Sequence, residues 1–554
     1  MFGSRLELRL AAAARQVDEH LAAWKRSNYQ SRLLDRDYRL WAPEPEPELG
    51  NRLGWLDLPG TPGSVVEEWK QLAREATEGG VEQVIVLGMG GSSLAPEVFA
   101  HSFDVESGLP LSVLDTTHPE AIAAATADID VSSTLFLVSS KSGGTIETLS
   151  LFRHFWEARV GAVGRATAGQ AFVAITDPGS GLERLAQERE FLQICPGPSD
   201  VGGRFSALSA FGMVPAALIG LDVDRMLELA RGTAEGCFGP NGYDLASPLG
   251  LGAAMAELAR VGRDKLTLLP SSSIGSFPDW LEQLVAESLG KLGRGVIPIV
   301  GERPRDPGLY SADRFLVILQ VDGDEPVVSP EWMDRATAEG HPVAMLRLAD
   351  SYDLGSQMYG WEFAVAAAGS LLGVQPFSQP DVQLAKDLAN AAMDRAAGET
   401  GGNVGFETIR SSEPRARDVL QAWLSESGPG GYVSIQAFLA PNSSTVVALR
   451  EFTCVVDGRT GAATTLGIGP RFLHSTGQLH KGGPESGRFL QIVDEPSPDL
   501  EVPETDYSFG RLIRAQADGD AGALAGRARP TLRLELDDRG PDELPGLLSE
   551  LPAV

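Results

Sequence analysis

Short, continuously apolar runs recur along the chain from Val84 onward. The first set is VIVLG (Val84 to Gly88), LSVLD (Leu111 to Asp115), TLFLV (Thr134 to Val138) and AFVAIT (Ala171 to Thr176). The second is KLTLLP (Lys265 to Pro270), GVIPIV (Gly295 to Val300), RFLVILQ (Arg314 to Gln320) and PVAMLRL (Pro342 to Leu348). Helical stretches separate them. Strands that are apolar on both faces and alternate with helices predict parallel sheets covered on each side. Ahead of them, residues 1–50 read as an amphipathic helical arm closed by the Pro/Glu alternation APEPEPELG (Ala42 to Gly50), a linker or an exposed extended segment. After the polar, Gly-rich GETGGN (Gly398 to Asn403), three more strands are expected: YVSIQAFLA (Tyr432 to Ala440), RFLQIV (Arg488 to Val493) and TLRLEL (Thr531 to Leu536). The expected architecture is α/β, with doubly wound parallel-sheet lobes over 51–240 and 241–400 and a C-terminal α/β extension over 401–554.

Composition narrows the function classes. Hydrophobic residues make up 43% of the 554, enough for more than one core. The formal net charge of −29 argues against nucleic acid or an anionic membrane surface as partner. It leaves room for a small anion, because a nest of backbone N–H groups binds phosphate even in an acidic protein. Cys195, Cys237 and Cys454 are far apart and form no CxxC pair, so neither a disulfide framework nor a metal site is expected. No stretch has the length of a membrane span or the form of a signal peptide, and a cytoplasmic protein is expected.

Two strand-to-helix turns carry candidate chemistry. In VIVLGMGGSSLAPEVF, Gly88, Gly90 and Gly91 are followed by Ser92 and Ser93. Glycines let a backbone approach a ligand, and a helix N-terminus offers free N–H groups. The spacing is not that of a dinucleotide fingerprint, since Leu94 holds the third glycine's position. The second turn is SSKSGGTIET (Ser139 to Thr148). Hydroxyls at Ser140, Ser142 and Thr145 surround Lys141 and two glycines, more than a helix cap requires. The lysine precedes the glycines, so this is not a Walker loop. Two further segments put single functional groups in apolar surroundings. GGRF sets Arg204 before an apolar helix, and FPDWLEQLVAESLG sets Gln283 and Glu287 one helical turn apart on one face.

SKSGGTIET resembles the phosphate loop of the sugar isomerase domain superfamily. Together with the Arg204 and Glu287 segments, and in the same order, it resembles the glucose-6-phosphate isomerase family over roughly residues 80 to 390. The resemblance implies aldose–ketose isomerisation of a sugar phosphate through an enediolate. Glu287 would be the base, and Arg204 a cation that stabilises the intermediate without taking its proton. It implies phosphate and substrate contacts from Gly91, Ser92, Ser140, Lys141, Ser142, Thr145 and Gln283. It further implies Lys386 as an active-site lysine with Gln379 beside it. Asp381 and Gln383 depart from the family's usual Gly and Glu. No organic cofactor or metal is implied, and a homodimer is.

The family's histidine normally follows the base glutamate by roughly twenty residues. Here that stretch, GERPRDPGLYSADRF (Gly301 to Phe315), has none. LHSTGQLHKGG (Leu473 to Gly483) resembles the family's histidine segment but comes after Lys386. The expectation is a rearranged order in which His474 opens the sugar ring, with His480 and Lys481 either supporting the site residues from behind or touching the phosphate. This arrangement resembles the isomerase half of bifunctional transaldolase/glucose-6-phosphate isomerase proteins. Alternatives are a dual glucose/mannose phosphate isomerase and a non-catalytic sugar-phosphate-binding regulator.

Overall fold

The computed structural model describes residues 6–104, 108–393, 405–537 and 540–548. Among these are three five-stranded sheets. The first has the order Leu111–Leu114, Gln83–Gly88, Thr134–Ser139, Phe172–Thr176, Gln193–Pro196, all parallel. The third is also parallel, in the order Glu407–Arg410, Thr531–Glu535, Gly487–Val493, Tyr432–Phe438, Ala463–Ile468. The GETGGN segment expected to divide the second and third units lies outside the described residues.

The second sheet corrects the reading of the N-terminal arm. Its order is Leu6–Arg9, Val343–Leu348, Arg314–Val321, Lys265–Pro270, Ile297–Ile299. Leu6–Arg9 pairs antiparallel with Val343–Leu346 and caps the sheet edge before the helix Ala14–Arg26 begins. LELR alternates apolar and charged residues, a pattern that suits a strand with one face outward, and the edge provides its partner. The arm's helix packs on Pro248–Arg260, so the arm belongs to the second lobe. The expected boundary at residue 240 is likewise not a packing boundary. The helix Val223–Phe238 lies against Leu354–Leu372, deep in the second lobe.

One apolar core runs through both lobes, from Trp55 and Phe205 to Trp361 and Phe363. The third sheet has its own core of Val433, Ile435, Leu490 and Leu532. Two seams bind it to the lobes. Val502 and Phe509 join the first lobe beside Phe136 and Phe152. Tyr432, Leu479 and Phe489 join the second beside Ile297 and Ile299. Each such fully buried side chain contributes about 1.5–3 kcal/mol of transfer free energy. The extension is therefore an integral third layer, and the loop Arg471–Gly483 is carried between the lobes.

Candidate active site

The Ser139–Thr145 turn ends the central strand of the first sheet and leads into the helix Ile146–Val163. The Thr145 hydroxyl does not cap that helix. It lies 3.0 Å from Ser140 Oγ, which also accepts from the Gly143 N–H at 3.2 Å. Ser140 is thus spent inside the loop, while Ser142 and Thr145 line an open cavity of about 300 Å³. The helix's first N–H groups and its positive dipole end face the same loop, a natural anion cradle. Lys141 also lines the cavity, but its Nζ donates to Asp177 Oδ2 at 2.6 Å and to the Pro198 carbonyl at 2.9 Å. Burial pushes the Lys141 ammonium down against the opposing pull of Asp177.

The glycine-rich turn after Gln83–Gly88 forms the facing wall. Gly90 has φ +54°, and a Cβ there would stand 2.6 Å from the His474 carbonyl oxygen. At Gly91 a Cβ would stand 2.1 Å from the Gly203 carbonyl oxygen. Glycine is needed at both because the Arg204 and His474 segments close onto this turn. Ser92 lines the cavity beside them.

Arg204 is buried and held at every nitrogen. Nε donates to Ser288 Oγ at 2.8 Å, Nη2 to the carbonyls of Pro376 and Ser378 at 2.5 and 3.0 Å, and Nη1 to Gln379 Oε1 at 3.1 Å. Nη1 also stands 3.3 Å from Glu287 Oε1. Burial pushes the guanidinium down, and Glu287 pulls it back up. The helix Phe277–Leu289 presents Gln283 and Glu287 on one face, with Gln283 Nε2 donating to Glu287 Oε2 at 3.2 Å and to the His474 carbonyl at 2.7 Å.

His474 enters from the third unit. Its Nε2 lies 2.8 Å from Glu147 Oε1, an atom that also accepts from Gln516 Nε2 at 2.7 Å. Gln516 Oε1 in turn accepts from Thr117 Oγ1 at 2.8 Å. Burial pushes the Glu147 carboxyl up, but the charge and hydrogen bond of His474, with Lys386 behind them, outweigh it and hold it below the usual range. Lys386, on the helix Val382–Met393, lines the cavity across from these groups.

Arg471, three residues before His474, pins this loop to the first lobe through Glu97 at 3.0 Å and Asp115 at 3.4 Å. Two carboxyls on the Glu287 helix sense its charge. Burial pushes Asp279 up to about 6 and Glu282 up to about 8, with Arg471 opposing both. A carboxyl whose folded value is raised binds its proton more tightly in the folded state. Its stabilising effect is complete below the unfolded value and is lost as pH rises through the folded one. Glu282→Gln should therefore raise the melting temperature relative to wild type at pH 9 and leave it unchanged at pH 4. Calorimetry at the two pH values checks this, and an equal shift at both would contradict it.

Of the residues expected from sequence, Glu287, Arg204, His474, Lys386, Gly91, Ser92, Lys141, Ser142, Thr145, Gln283 and Gln379 line this one cavity. Ser140 does not, for the reason given above. His480 and Lys481 do not line it either, although Lys481 lines the adjoining cavity together with Ser142, Gly144 and Thr145 of the phosphate loop. His480 Nδ1 is 3.1 Å from Gln436 Nε2 in the third unit's core, and Lys481 Nζ donates to Asp520 at 2.5 Å. Sequence reading missed Glu147, Gln516, Asp177, Glu48 and Arg52. Glu147 was visible only as an acidic residue in a helix's first turn, where carboxylates are common for dipole reasons alone.

A family model described as phosphoglucose isomerase matches residues 66–293. A glucose-6-phosphate isomerase of Thermus thermophilus is 37% identical over 393 residues, which span 63% of this chain and 92% of that protein. One of Rubrobacter xylanophilus is 30% identical over 389 residues, 62% of this chain and 89% of that one. Among solved structures, a hypothetical protein from Thermus thermophilus superposes with a TM-score of 0.58 at 27% identity. That match covers 70% of this chain and all of the other. A glucose-6-phosphate isomerase from Chlamydia trachomatis superposes with a TM-score of 0.52 at 20% identity, over 70% of this chain and 80% of that one, and shares the fold.

Proposed function

Because the chain belongs to the phosphoglucose isomerase family and interconverts glucose 6-phosphate and fructose 6-phosphate, we propose that the cavity between its lobes performs that reaction through an enediolate. The observation that carries this reading is the grouping of a carboxylate, a fully held guanidinium and a hydroxyl-rich helix N-terminus around one cavity. The substrate's phosphate rests on Ser142, Thr145 and Ser92. Opening the hexose ring moves a proton from the O1 hydroxyl to the ring oxygen. His474, oriented through Nε2 by Glu147, and Lys386 serve those two oxygens. Glu287 then takes the C2 proton and returns it to C1. Arg204 faces the enediolate oxygens as a permanent charge, preorganised by its four partners. Gln283 steadies the base.

In this reading residues 401–554 complete the active site by supplying His474. No described helix is long and apolar enough to cross a membrane. A cytoplasmic homodimer is the assembly the family resemblance supports. Turnover of fructose 6-phosphate in D2O tests the route. After many turnovers, glucose 6-phosphate carrying deuterium at C2 is expected by NMR, because the proton held on Glu287 exchanges with solvent before some of its returns, and a sugar phosphate pool still wholly free of deuterium would sink the enediolate mechanism. Parallel assays with mannose 6-phosphate measure the discrimination at C2.

A further inference from the structure

The Pro/Glu segment is exposed over Pro43–Pro47, as expected, but the stretch that follows, Glu48–Arg52, is built into the wall of the cavity. Leu49 and Leu53 are buried in the core shared by the lobes. Gln375 Nε2 donates to Glu46 Oε2 and to the Pro47 carbonyl, each at 3.0 Å. Leu53 forms a bridge with Val201, and the Gly54 N–H donates to the Asp200 carbonyl at 2.9 Å. The segment therefore lies between the two stretches that position Arg204. It turns two charged side chains, Glu48 and Arg52, into the cavity lining. Glu48 does so from φ +71°, a left-handed backbone that residues with a Cβ seldom adopt. The Arg52 guanidinium is fixed by the Ser199 carbonyl and stands 3.9 Å from Glu48.

The charge pattern gives this pair a task. Lys141, the phosphate loop's own cation, is already matched by Asp177 at 2.6 Å. A phosphate dianion arriving there needs a further cation, and Arg52 is near enough to act on both Lys141 and Asp177. Glu48 acts instead on Arg204 and Lys291, toward the reacting end. A hexose phosphate stretched from the loop to Glu287 passes along this edge.

We propose that Glu48 and Arg52 form an additional substrate-recognition edge, in which Arg52 binds the phosphate and Glu48 accepts hydrogen bonds from the hydroxyls of the sugar chain. The proposal rests on the cavity being the active site, as above.

The test uses the full chain with Arg52→Gln, Arg52→Lys and Glu48→Gln, assayed with fructose 6-phosphate and with inorganic phosphate as competitive inhibitor. Loss of a charge-assisted bond made equally to substrate and transition state raises KM and spares kcat. Arg52→Gln should raise KM about tenfold and weaken inhibition by phosphate by a similar factor, with partial recovery in Arg52→Lys. Glu48→Gln should raise KM while leaving inhibition by phosphate unchanged. Unchanged KM in both variants overturns the proposal. So does a lowered kcat at unchanged KM, the mark of a merely structural role. Glu287→Gln, run alongside, separates the two levels. If it keeps wild-type turnover, the site reading itself has failed, whatever Arg52 does.

Discussion

Replacing Glu287 by glutamine lowers kcat for fructose 6-phosphate by about a thousandfold, within the range for loss of a positioned general base. The amide has the carboxylate's shape but cannot hold the proton moving between C1 and C2. KM changes little, because the phosphate loop and Arg52 are untouched. The substitution also removes the anion 3.3 Å from Arg204 Nη1. Separating a buried pair costs about 3–5 kcal/mol when one charge is left unmatched. Arg204 keeps Ser288, Gln379 and two carbonyls, so the cost falls at the low end and shows as a reduced melting temperature of a folded protein. The decisive readout is solvent exchange at C2, which stops with turnover. A variant still exchanging at the wild-type rate would remove Glu287 from the mechanism.

His474→Ala slows turnover by about a hundredfold, and for a different reason. The proton shuttle stays intact, and the lost step is ring opening. With C2-deuterated glucose 6-phosphate, the wild type shows a primary isotope effect on kcat. In His474→Ala that effect shrinks toward unity, since breaking the C2–H bond no longer limits the rate. Glu147→Gln moves in the same direction by a smaller factor, because it leaves His474 present but unsupported by charge. The pH behaviour follows from Glu147. Its depressed value means that its contribution to stability is present above the ordinary carboxylate pKa and is lost only as pH falls through the lower, folded value. Mild acid therefore leaves the His474–Glu147 link in place. A full isotope effect in His474→Ala would show that ring opening is carried by another group.

Every strand that the sequence hid lies at a sheet edge, although two further edge strands, Leu111–Leu114 and Ile297–Ile299, were legible. The interior strands of all three sheets, such as Thr134–Ser139 and Arg314–Val321, are apolar on both faces and stand out as runs. Leu6–Arg9, Gln193–Pro196, Glu407–Arg410 and Ala463–Ile468 did not stand out, and each is an edge strand. An edge buries less, so ETIR and QICP carry too little apolar pattern to separate them from loop. The site divides in a similar way. Groups whose function demands unusual local composition, such as paired glycines with clustered hydroxyls, were legible. Glu147, Gln516, Glu48 and Arg52 were not, because their roles come from partners hundreds of residues away, or from a segment whose prolines suggest a spacer.

The loop Arg471–Gly483 reaches the cavity from a unit that follows both lobes in the chain. During translation, N-terminal units emerge and fold first. The phosphate loop, Arg204, Glu287 and Lys386 all leave the ribosome before any part of the third sheet. Under the mechanism we propose, a nascent chain, or one cut short before Arg471, holds the groups assigned to proton transfer between C1 and C2 while lacking the histidine assigned to ring opening. In the proposed mechanism the order of these groups along the chain thus ties efficient use of closed sugars to synthesis of the third unit, and fragments lacking it draw only weakly on the hexose phosphate pool.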